Sequence, residues 1–257
     1  MTSMVPSGMF DLSGRVAVVT GGNGGIGLGM ARGLAAAGAW VAVVGRNAEK
    51  NKAAVAELGE DSFAIQADLT EKDAADRVIA QVVEQAGGID ILVNNAGTNI
   101  RRLPQDVTDE DWHAVMDANL TSAMRMSRAA YPHLKANGRG RVISIGSMMS
   151  IFGLPLSPAY GASKGGIVQY TRSLAVAWGP DGITANAILP GWIETELTAG
   201  AKRDIPDLND RVLARTPQKR WGNPGDFAGI AAFLASDAAA FVTGTAIPVD
   251  GGLSVHG

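Results

Sequence analysis

Seven short apolar runs, separated by longer amphipathic stretches, constrain the fold of this chain more than any other feature of its sequence. Several runs are apolar at consecutive rather than alternate positions, which is typical of strands buried on both faces of a parallel sheet. The alternation predicts a doubly wound α/β fold, with about seven parallel strands and helices on both faces. The predicted strands are Val16–Thr20, Trp40–Val44, Ser62–Gln66, Ile89–Asn94, Arg141–Ile145, Ile183–Leu189 and Thr245–Val249.

The stretches between these runs predict helices, and Thr108 and Asp111 have the spacing of a capping box at the start of one of them. The predicted helices are Leu28–Ala37, Glu71–Ala86, Asp109–Lys135 and Pro158–Trp178. Residues 192–218 are more polar and lack a regular pattern. Because they follow a strand end, where crevice-lining loops occur, we expect a substrate lid there. Residues 1–10 are expected to be a short tail of a single domain that spans residues 1–257.

Composition limits the classes of partner. The formal charge of −3, from 22 basic and 25 acidic residues, provides no electrostatic footprint for nucleic acid. No apolar segment reaches the ~18 residues of a membrane span, and the first residues lack the features of a signal peptide. The chain has no cysteine, and its three histidines do not cluster with acids at metal-ligand spacing. We therefore expect a cytoplasmic protein without a metal, acting on a small molecule.

A glycine-rich turn follows the first predicted strand and precedes the first predicted helix. Glycine lets the backbone turn sharply and approach a phosphate, and the helix N-terminus adds N–H donors and a positive dipole end. The Gly-x-x-x-Gly-x-Gly spacing in this strand–turn–helix context predicts a pyrophosphate site. Its expected contact residues are Gly21, Asn23, Gly24, Gly25, Ile26 and Gly27.

Tyr160 and Lys164 stand one helical turn apart, so the phenol and the ammonium share a face of the predicted helix. A nearby ammonium favours the phenolate and should lower the pKa of the tyrosine toward neutral pH. Such a pair is suited to general acid/base chemistry at an alcohol or carbonyl, and Ser147 could hydrogen-bond the reacting oxygen.

Taken in order, these and further motifs resemble the short-chain dehydrogenases/reductases. The matching elements are Thr20-Gly-x-x-x-Gly-Ile-Gly27, Asp68-Leu69, Asn94-Asn95-Ala96-Gly97, Asn119, Ser147, Tyr160-x-x-x-Lys164, Pro190-Gly191 and Val249-Asp250-Gly251-Gly252. The resemblance implies a single-domain Rossmann fold that transfers hydride between NAD(P) and a carbonyl or carbinol carbon.

The resemblance also implies roles for individual residues. Tyr160 would exchange the proton, Ser147 would position the oxygen, Lys164 would bind the nicotinamide ribose, and Asn119 would hold a water of a proton relay, unless its role is structural. Further cofactor contacts would come from Asp68, Leu69, Asn95, Ala96, Gly97, Tyr160, Lys164, Pro190, Gly191 and Ile193. Asp68 fits either the adenine amino group or a helix N-cap.

Arg46 follows the second predicted strand, where dinucleotide folds distinguish the two nicotinamide cofactors. An acid there binds the ribose 2′-hydroxyl, whereas an arginine accommodates a 2′-phosphate. Gly45 occupies the acid position, so we predict a preference for NADP(H), with NAD(H) as the alternative.

Arg101 and Arg102 follow the Asn-Asn-Ala-Gly turn, where they are either surface charges or ligands for a substrate carboxylate. The stretches 95–102 and 217–222 are similar to the sugar-acid branch of the family, which includes gluconate 5-dehydrogenases. We therefore expect a sugar acid bound by Arg101, Arg102, Ser147, Met148 and Trp192. The family resemblance also implies a homotetramer. The alternatives are a 3-oxoacyl-carrier-protein reductase, a reductase of small or cyclic ketones, and a non-catalytic dinucleotide sensor.

Overall fold

Seven strands form one parallel sheet in the structure, a computed structural model that describes residues 8–256. Residues 1–7 of the expected tail lie outside this range. The strands are β1 Val16–Thr20, β2 Trp40–Gly45, β3 Ser62–Gln66, β4 Ile91–Asn94, β5 Arg141–Ile145, β6 Thr184–Pro190 and β7 Ala246–Val249. Their order in the sheet is β3-β2-β1-β4-β5-β6-β7, and every neighbouring pair is parallel. The predicted fold class is confirmed.

The predicted bounds of β1, β3 and β5 are the observed ones, and the ends of the other four strands differ by one or two residues at most. β4 begins two residues later than predicted, and the Asp90 carboxylate just before it supplies a side-chain acceptor to the neighbouring strand. Its Oδ2 accepts a hydrogen bond from the Val16 N–H at 2.9 Å.

Nine α-helices surround the sheet in the described part of the chain. They are α1 Gly25–Ala36, α2 Ala48–Leu58, α3 Ala74–Ala86, α4 Asp109–Met116, α5 Ser122–Ala136, α6 Pro158–Trp178, α7 Glu196–Asp204, α8 Leu208–Arg215 and α9 Ala228–Ala235. α1 begins three residues before the predicted start, because the glycine-rich turn itself supplies the first helical turn. α6 has the predicted bounds.

Two predictions about the helices are corrected by the structure. The long helix predicted over 109–135 is divided by a π-helical turn, Asp117–Thr121, between α4 and α5. The segment 192–218, predicted to be irregular, contains α7 and α8. These two helices are polar in composition because they bury only a small apolar cluster of their own, formed with Trp192 and Trp221.

Of the two hydrogen bonds of the capping box predicted at the start of α4, the structure has one. The Thr108 hydroxyl caps the helix by accepting from the Asp111 N–H at 3.1 Å. The Asp111 carboxylate forms an ion pair with Arg102 at 3.2 Å, so it faces a neighbouring segment.

The two faces of the sheet carry separate apolar cores. Ala17 and Val19 of β1 pack with α1 and α9 on one face, whereas Val16 and Val18 pack with α3 and α5 on the other. α1 and α9 approach at backbone distance: a Cβ at Gly33 would lie 2.3 Å from the Ala228 carbonyl oxygen. Within residues 8–256, no helix is both long and apolar enough to cross a membrane.

Candidate active site

The turns after β1 and β4 are locked together at the carboxyl edge of the sheet. The Thr20 hydroxyl donates to the Val93 carbonyl at 3.1 Å and accepts from the N–H groups of Asn95 at 2.9 Å and Ala96 at 3.0 Å. The Asn95 Nδ2 donates in return to the Thr20 carbonyl at 2.9 Å and the Gly21 carbonyl at 3.2 Å. These bonds hold the glycine-rich turn beside the Asn-Ala-Gly turn.

The glycine-rich turn fits a dinucleotide phosphate. A Cβ at Gly27 would lie 2.2 Å from the Gly21 carbonyl oxygen, and one at Gly21 would lie 2.8 Å from Asn95 Nδ2. Glycine at both positions therefore allows the turn to close. Gly24 is the N-cap of α1 and provides no side-chain acceptor, and the first turn of α1 has no acidic residue. The first N–H groups of α1 are thus suited to bind an anion.

The predicted adenosine contacts lie beyond the ends of β2 and β3. Arg46 Nη1 is 3.8 Å from Asp68 Oδ2, while Asp68 Oδ1 accepts from the Thr70 N–H and hydroxyl at 3.0 and 2.7 Å. Those bonds from Thr70 lower the pKa of Asp68. Asp68 is not the N-cap of α3, which is Asp73. Leu69 is buried in the core, so its side chain faces away from this surface.

The predicted catalytic pair lies on α6, beside the end of β5. The Lys164 side chain is buried, and its Nζ donates to the Ile145 carbonyl at 2.7 Å. Nζ lies 5.6 Å from the centroid of the Tyr160 ring. Burial lowers the pKa of Lys164 to about 8.

The expectation that Lys164 lowers the pKa of Tyr160 is not met in this arrangement. Burial raises the pKa of Tyr160 above its ordinary value, and the Ser147 hydroxyl offsets part of that rise. The physical reason is that the desolvation of a phenolate dominates, while the lysine ammonium is directed to the Ile145 carbonyl. The phenol is therefore the protonated, proton-donating form at neutral pH.

Asn119 lies in the π-helical turn and joins three parts of the site. Its Nδ2 donates to the Thr98 carbonyl and to the Ser163 hydroxyl, both at 2.9 Å, and its Oδ1 accepts from the Thr98 N–H at 2.7 Å. Ser163 donates in turn to the Tyr160 carbonyl at 2.8 Å. Asn119 thereby braces the turn after Gly97 against α6, which supports the structural alternative. Its part in a proton relay stays a prediction.

A cavity of about 80 Å³ opens beside Tyr160 and Ser147. Four of the five predicted substrate residues line it: Arg101, Ser147, Met148 and Trp192. Leu197 and Ala201 of α7 form another wall, so the predicted lid segment does border the cavity. Pro190 and Gly191 also line it, whereas the Ile193 side chain is buried in the core.

The two predicted substrate arginines separate in the structure. Arg101 Nη1 lies 2.9 Å from Asp204 Oδ2, and its Nη2 donates to the Leu197 carbonyl at 3.0 Å, so its guanidinium lies at the cavity wall. Arg102 does not line this cavity, contrary to expectation. Its Nε lies 3.2 Å from the Asp111 carboxylate at the start of α4.

Several residues of the site were not singled out from the sequence. Ser150 accepts from the Ser147 N–H at 3.2 Å and donates to the Lys164 carbonyl at 2.7 Å. Its three-residue spacing from Ser147 is a capping-box signal that identifies it in retrospect. Asn99 lines the cavity, and its buried Oδ1 has no hydrogen-bond partner among the described residues. Thr20 and Ser163 carried no signal besides their place in the motifs.

Comparisons with known proteins agree with this geometry. A family model described as enoyl-(acyl carrier protein) reductase matches residues 21–254. The chain belongs to the short-chain dehydrogenase/reductase family. It is therefore an oxidoreductase that acts on CH–OH groups of small molecules, as predicted.

Three relatives bear on its specificity. The 2-dehydro-3-deoxy-D-gluconate 5-dehydrogenase of Pseudoalteromonas atlantica is 41% identical over 250 residues, 95% of this chain and 97% of the relative. A 3-oxoacyl-acyl-carrier-protein reductase of Mycobacterium tuberculosis is 37% identical over 241 residues, 94% of this chain and 93% of the relative. A gluconate 5-dehydrogenase of Burkholderia cenocepacia, solved with NADP and tartrate, is 38% identical, covers 96% of this chain and 98% of its own, and superposes with a TM-score of 0.90.

The lowered pKa of Lys164 predicts a pH dependence of stability. Between pH 8 and 10 the unfolded chain, in which the lysine has its ordinary pKa of 10.5, binds more protons than the folded protein. The contribution of Lys164 to the free energy of unfolding therefore rises with pH in this window. The raised pKa of Tyr160 acts oppositely only above about pH 10, near the ordinary value of a phenol.

We expect the difference in free energy of unfolding between wild type and Lys164→Met to shift in favour of wild type from pH 8 to pH 10. Urea unfolding at each pH measures it, with Lys52→Met on the exposed face of α2 as the control. A difference that stays constant across the window would show that Lys164 does not titrate there.

Proposed function

We propose that this enzyme interconverts a secondary alcohol and a ketone on a sugar acid, with NADP(H) as its cofactor. The observation that carries the substrate class is the pairing, in one cavity, of Arg101 with the Ser147–Tyr160 pair. An anion-binding guanidinium stands beside a hydroxyl and a phenol suited to a carbonyl oxygen. The relatives whose names contain gluconate support the same class.

The cofactor would be held by the glycine-rich turn, by the N-terminus of α1, which has no side-chain cap, and by Arg46. These belong to the predicted contact set. Two features of the chain support NADP(H) over NAD(H): Arg46 follows β2, and Gly45 provides no acid there. A third support is that the gluconate 5-dehydrogenase solved with NADP is 38% identical to this chain. The bound nicotinamide supplies or accepts the hydride.

The chain's own residues would handle the proton and the oxygen. Tyr160 donates its phenol proton to the carbonyl oxygen in reduction and takes it back in oxidation, and Ser147 hydrogen-bonds the same oxygen. Lys164 lies one turn away, and its ammonium, which donates to the Ile145 carbonyl, would also bind the nicotinamide ribose. Asn119 keeps the turn at Gly97 in position through Thr98, and its Oδ1 has capacity left to accept from a relay water.

Removal of the Tyr160 hydroxyl tests the proton-transfer role. We expect Tyr160→Phe to cut kcat by at least ~10²-fold, the scale of general acid/base catalysis, while the dissociation constant of NADP⁺ stays within about twofold. Steady-state kinetics and fluorescence titration measure the two quantities. Tyr170→Phe, on the same helix but outside the cavity, is the matched control and should keep its kcat. Near-normal turnover by Tyr160→Phe would refute the assignment.

Arg101 would fix the carboxylate of the substrate. Its guanidinium now contacts Asp204 and the Leu197 carbonyl, both on α7, so an incoming carboxylate competes with Asp204 for the same donors. Asn99 also lines the cavity, but its Oδ1 is buried and is not open to a substrate. The Arg101 guanidinium can bind the carboxylate of a polyhydroxy acid, while the Ser147 and Tyr160 hydroxyls can hydrogen-bond its other oxygens.

One specific observation favours a second candidate, a ketone or 3-oxoacyl substrate. Met148, Met149, Leu154 and Leu197 give the cavity apolar walls, which suit a hydrocarbon chain or ring. The 3-oxoacyl reductase at 37% identity is consistent with that alternative. We favour the sugar acid because a hydrocarbon substrate would not explain the guanidinium of Arg101 at the wall of so small a cavity.

The two arginines provide a matched pair of variants. We expect Arg101→Ala to raise the KM for gluconate or 5-ketogluconate about tenfold or more, because a charge-assisted hydrogen bond contributes roughly 1.5–3 kcal/mol. Arg102→Ala, which removes a neighbouring arginine outside the cavity, should leave that KM unchanged. Both variants are assayed with sugar acids and with neutral ketones of similar size. Faster turnover of neutral ketones, with no effect of Arg101→Ala on any KM, would exclude the sugar-acid substrate.

We further propose a homotetramer, in which the α4–α5 segment and α6 pair between subunits and the C-terminal segments pack. Support comes from exposed apolar side chains on these elements, Val176 at the end of α6 and Phe241 before β7, which are 82% and 103% exposed in the single chain. Sedimentation velocity should give a tetramer, and a stable monomer at micromolar concentration would contradict it. A cytoplasmic location stays a prediction.

A further inference from the structure

A buried asparagine holds together the corner of the cofactor surface where β2 ends. Asn51 lies on α2 and is 3% exposed. Its Nδ2 donates to the Gly45 carbonyl at 2.9 Å, and its Oδ1 accepts from the Asn23 Nδ2 at 2.6 Å. Asn51 therefore joins the end of β2 to the glycine-rich turn.

These bonds hold the Asn23 amide in the space that a side chain at position 45 would need. A Cβ at Gly45 would lie 2.2 Å from Asn23 Nδ2, 2.7 Å from Asn23 Cγ and 2.6 Å from Asn51 Oδ1. Because all three distances are below 3 Å, an acid cannot be accommodated at Gly45 unless the asparagine pair moves.

The composition of α2 makes this arrangement unusual. Position 51 lies on the inward face of the helix with Ala54, Val55 and Leu58, at the spacing of an apolar stripe. Burial of an amide there is unfavourable unless its donor and acceptor are both used, and both are used on the cofactor-facing corner. A leucine of the same size would pack on this face but could not hold Asn23.

The neighbouring charge indicates what this corner recognises. Arg46 is the residue after Gly45, and its side chain is 77% exposed, with a single distant ion pair to Asp68 among the residues described. Asn23 uses one N–H on Asn51, which leaves a second N–H on the same nitrogen. An exposed guanidinium and an oriented amide donor, with no acid at position 45, form a surface suited to a phosphate monoester.

We propose that Asn51 is a positioning residue that sets cofactor selectivity: it holds the Asn23 amide against Gly45, which excludes an acid from that position and leaves the second Asn23 N–H available for a 2′-phosphate. The inference rests on the proposed preference for NADP(H). It adds a residue that does not touch the cofactor and acts through Asn23.

The first test measures the binding of two cofactor fragments by calorimetry. We expect Asn51→Leu to weaken binding of adenosine 2′,5′-bisphosphate about tenfold, the scale of a lost hydrogen bond to a charged group, and to change 5′-AMP binding less than about twofold. Asn186→Leu is the matched control. Asn186 is another buried asparagine with two hydrogen bonds, to Val242 and Thr245, and it lies toward the opposite edge of the sheet from β2. Its loss should therefore lower Tm without changing the ratio of the two affinities.

An equal loss of affinity for both fragments in Asn51→Leu would overturn the inference, because it would reduce Asn51 to a stabilising residue. The cofactor preference itself is tested separately on the wild type. Higher kcat/KM with NAD(H) than with NADP(H) in the wild type would refute the proposed preference. Whichever cofactor the wild type prefers, the role of Asn51 is decided by the ratio of the two fragment affinities in Asn51→Leu, that for adenosine 2′,5′-bisphosphate over that for 5′-AMP.

A second test uses the excluded volume. Gly45→Asp alone should weaken the binding of both NADP⁺ and NAD⁺, since the new side chain displaces the asparagine pair. Gly45→Asp combined with Asn23→Ala and Asn51→Ala removes the obstruction and should bind NAD⁺ more tightly than Gly45→Asp does, by about tenfold. If Gly45→Asp alone already binds NAD⁺ better than the wild type does, the exclusion by Asn51 is wrong.

Discussion

The reversal of strand order between β1 and β4 is the constraint on which the site depends. Loops on the two sides of such a point diverge and leave a crevice at the carboxyl edge of the sheet. One hydroxyl, that of Thr20, ties the two sides with three hydrogen bonds, and Asn95 adds two more. Short polar side chains thus tie the two walls of the crevice together at the edge of the apolar core.

Around this crevice, the reactive groups are held by a layer of buried hydroxyls and amides. Ser150 ties the loop after β5 to α6, and Ser163 ties α6 to Asn119. Each bond satisfies a polar group that would be costly to bury alone. The same burial that protects these bonds moves the pKa values of Lys164 and Tyr160 toward their neutral forms. In this arrangement Tyr160 is suited to donate a proton, and its conversion to phenolate depends on additional favourable interactions.

Much of this architecture was predictable from the sequence, and the failures have identifiable physical causes. Consecutive apolar residues predicted all seven strands, because strands covered on both faces leave few polar positions. α7 and α8 were missed because helices that cover a cavity mouth need few apolar residues. The side chain directions of Arg101 and Arg102 depend on partners about a hundred residues and nine residues away, and no local pattern contains that information. The sequence places Asn51 on an apolar stripe of α2, but its role depends on hydrogen bonds to Asn23 and Gly45 that the sequence does not predict.

The π-helical turn between α4 and α5 changes the direction in which side chains project before and after it. Such a turn contains one residue more than an α-turn, which shifts the helical phase by about 100°. The apolar stripes of α4 and α5 are therefore offset in sequence, although the two helices form one continuous rod. Asn119, which contacts Thr98 and Ser163, lies within this turn. By the same geometry, a chain one residue shorter between 117 and 121 would place α4 about 100° away from its present orientation about the helix axis relative to α5.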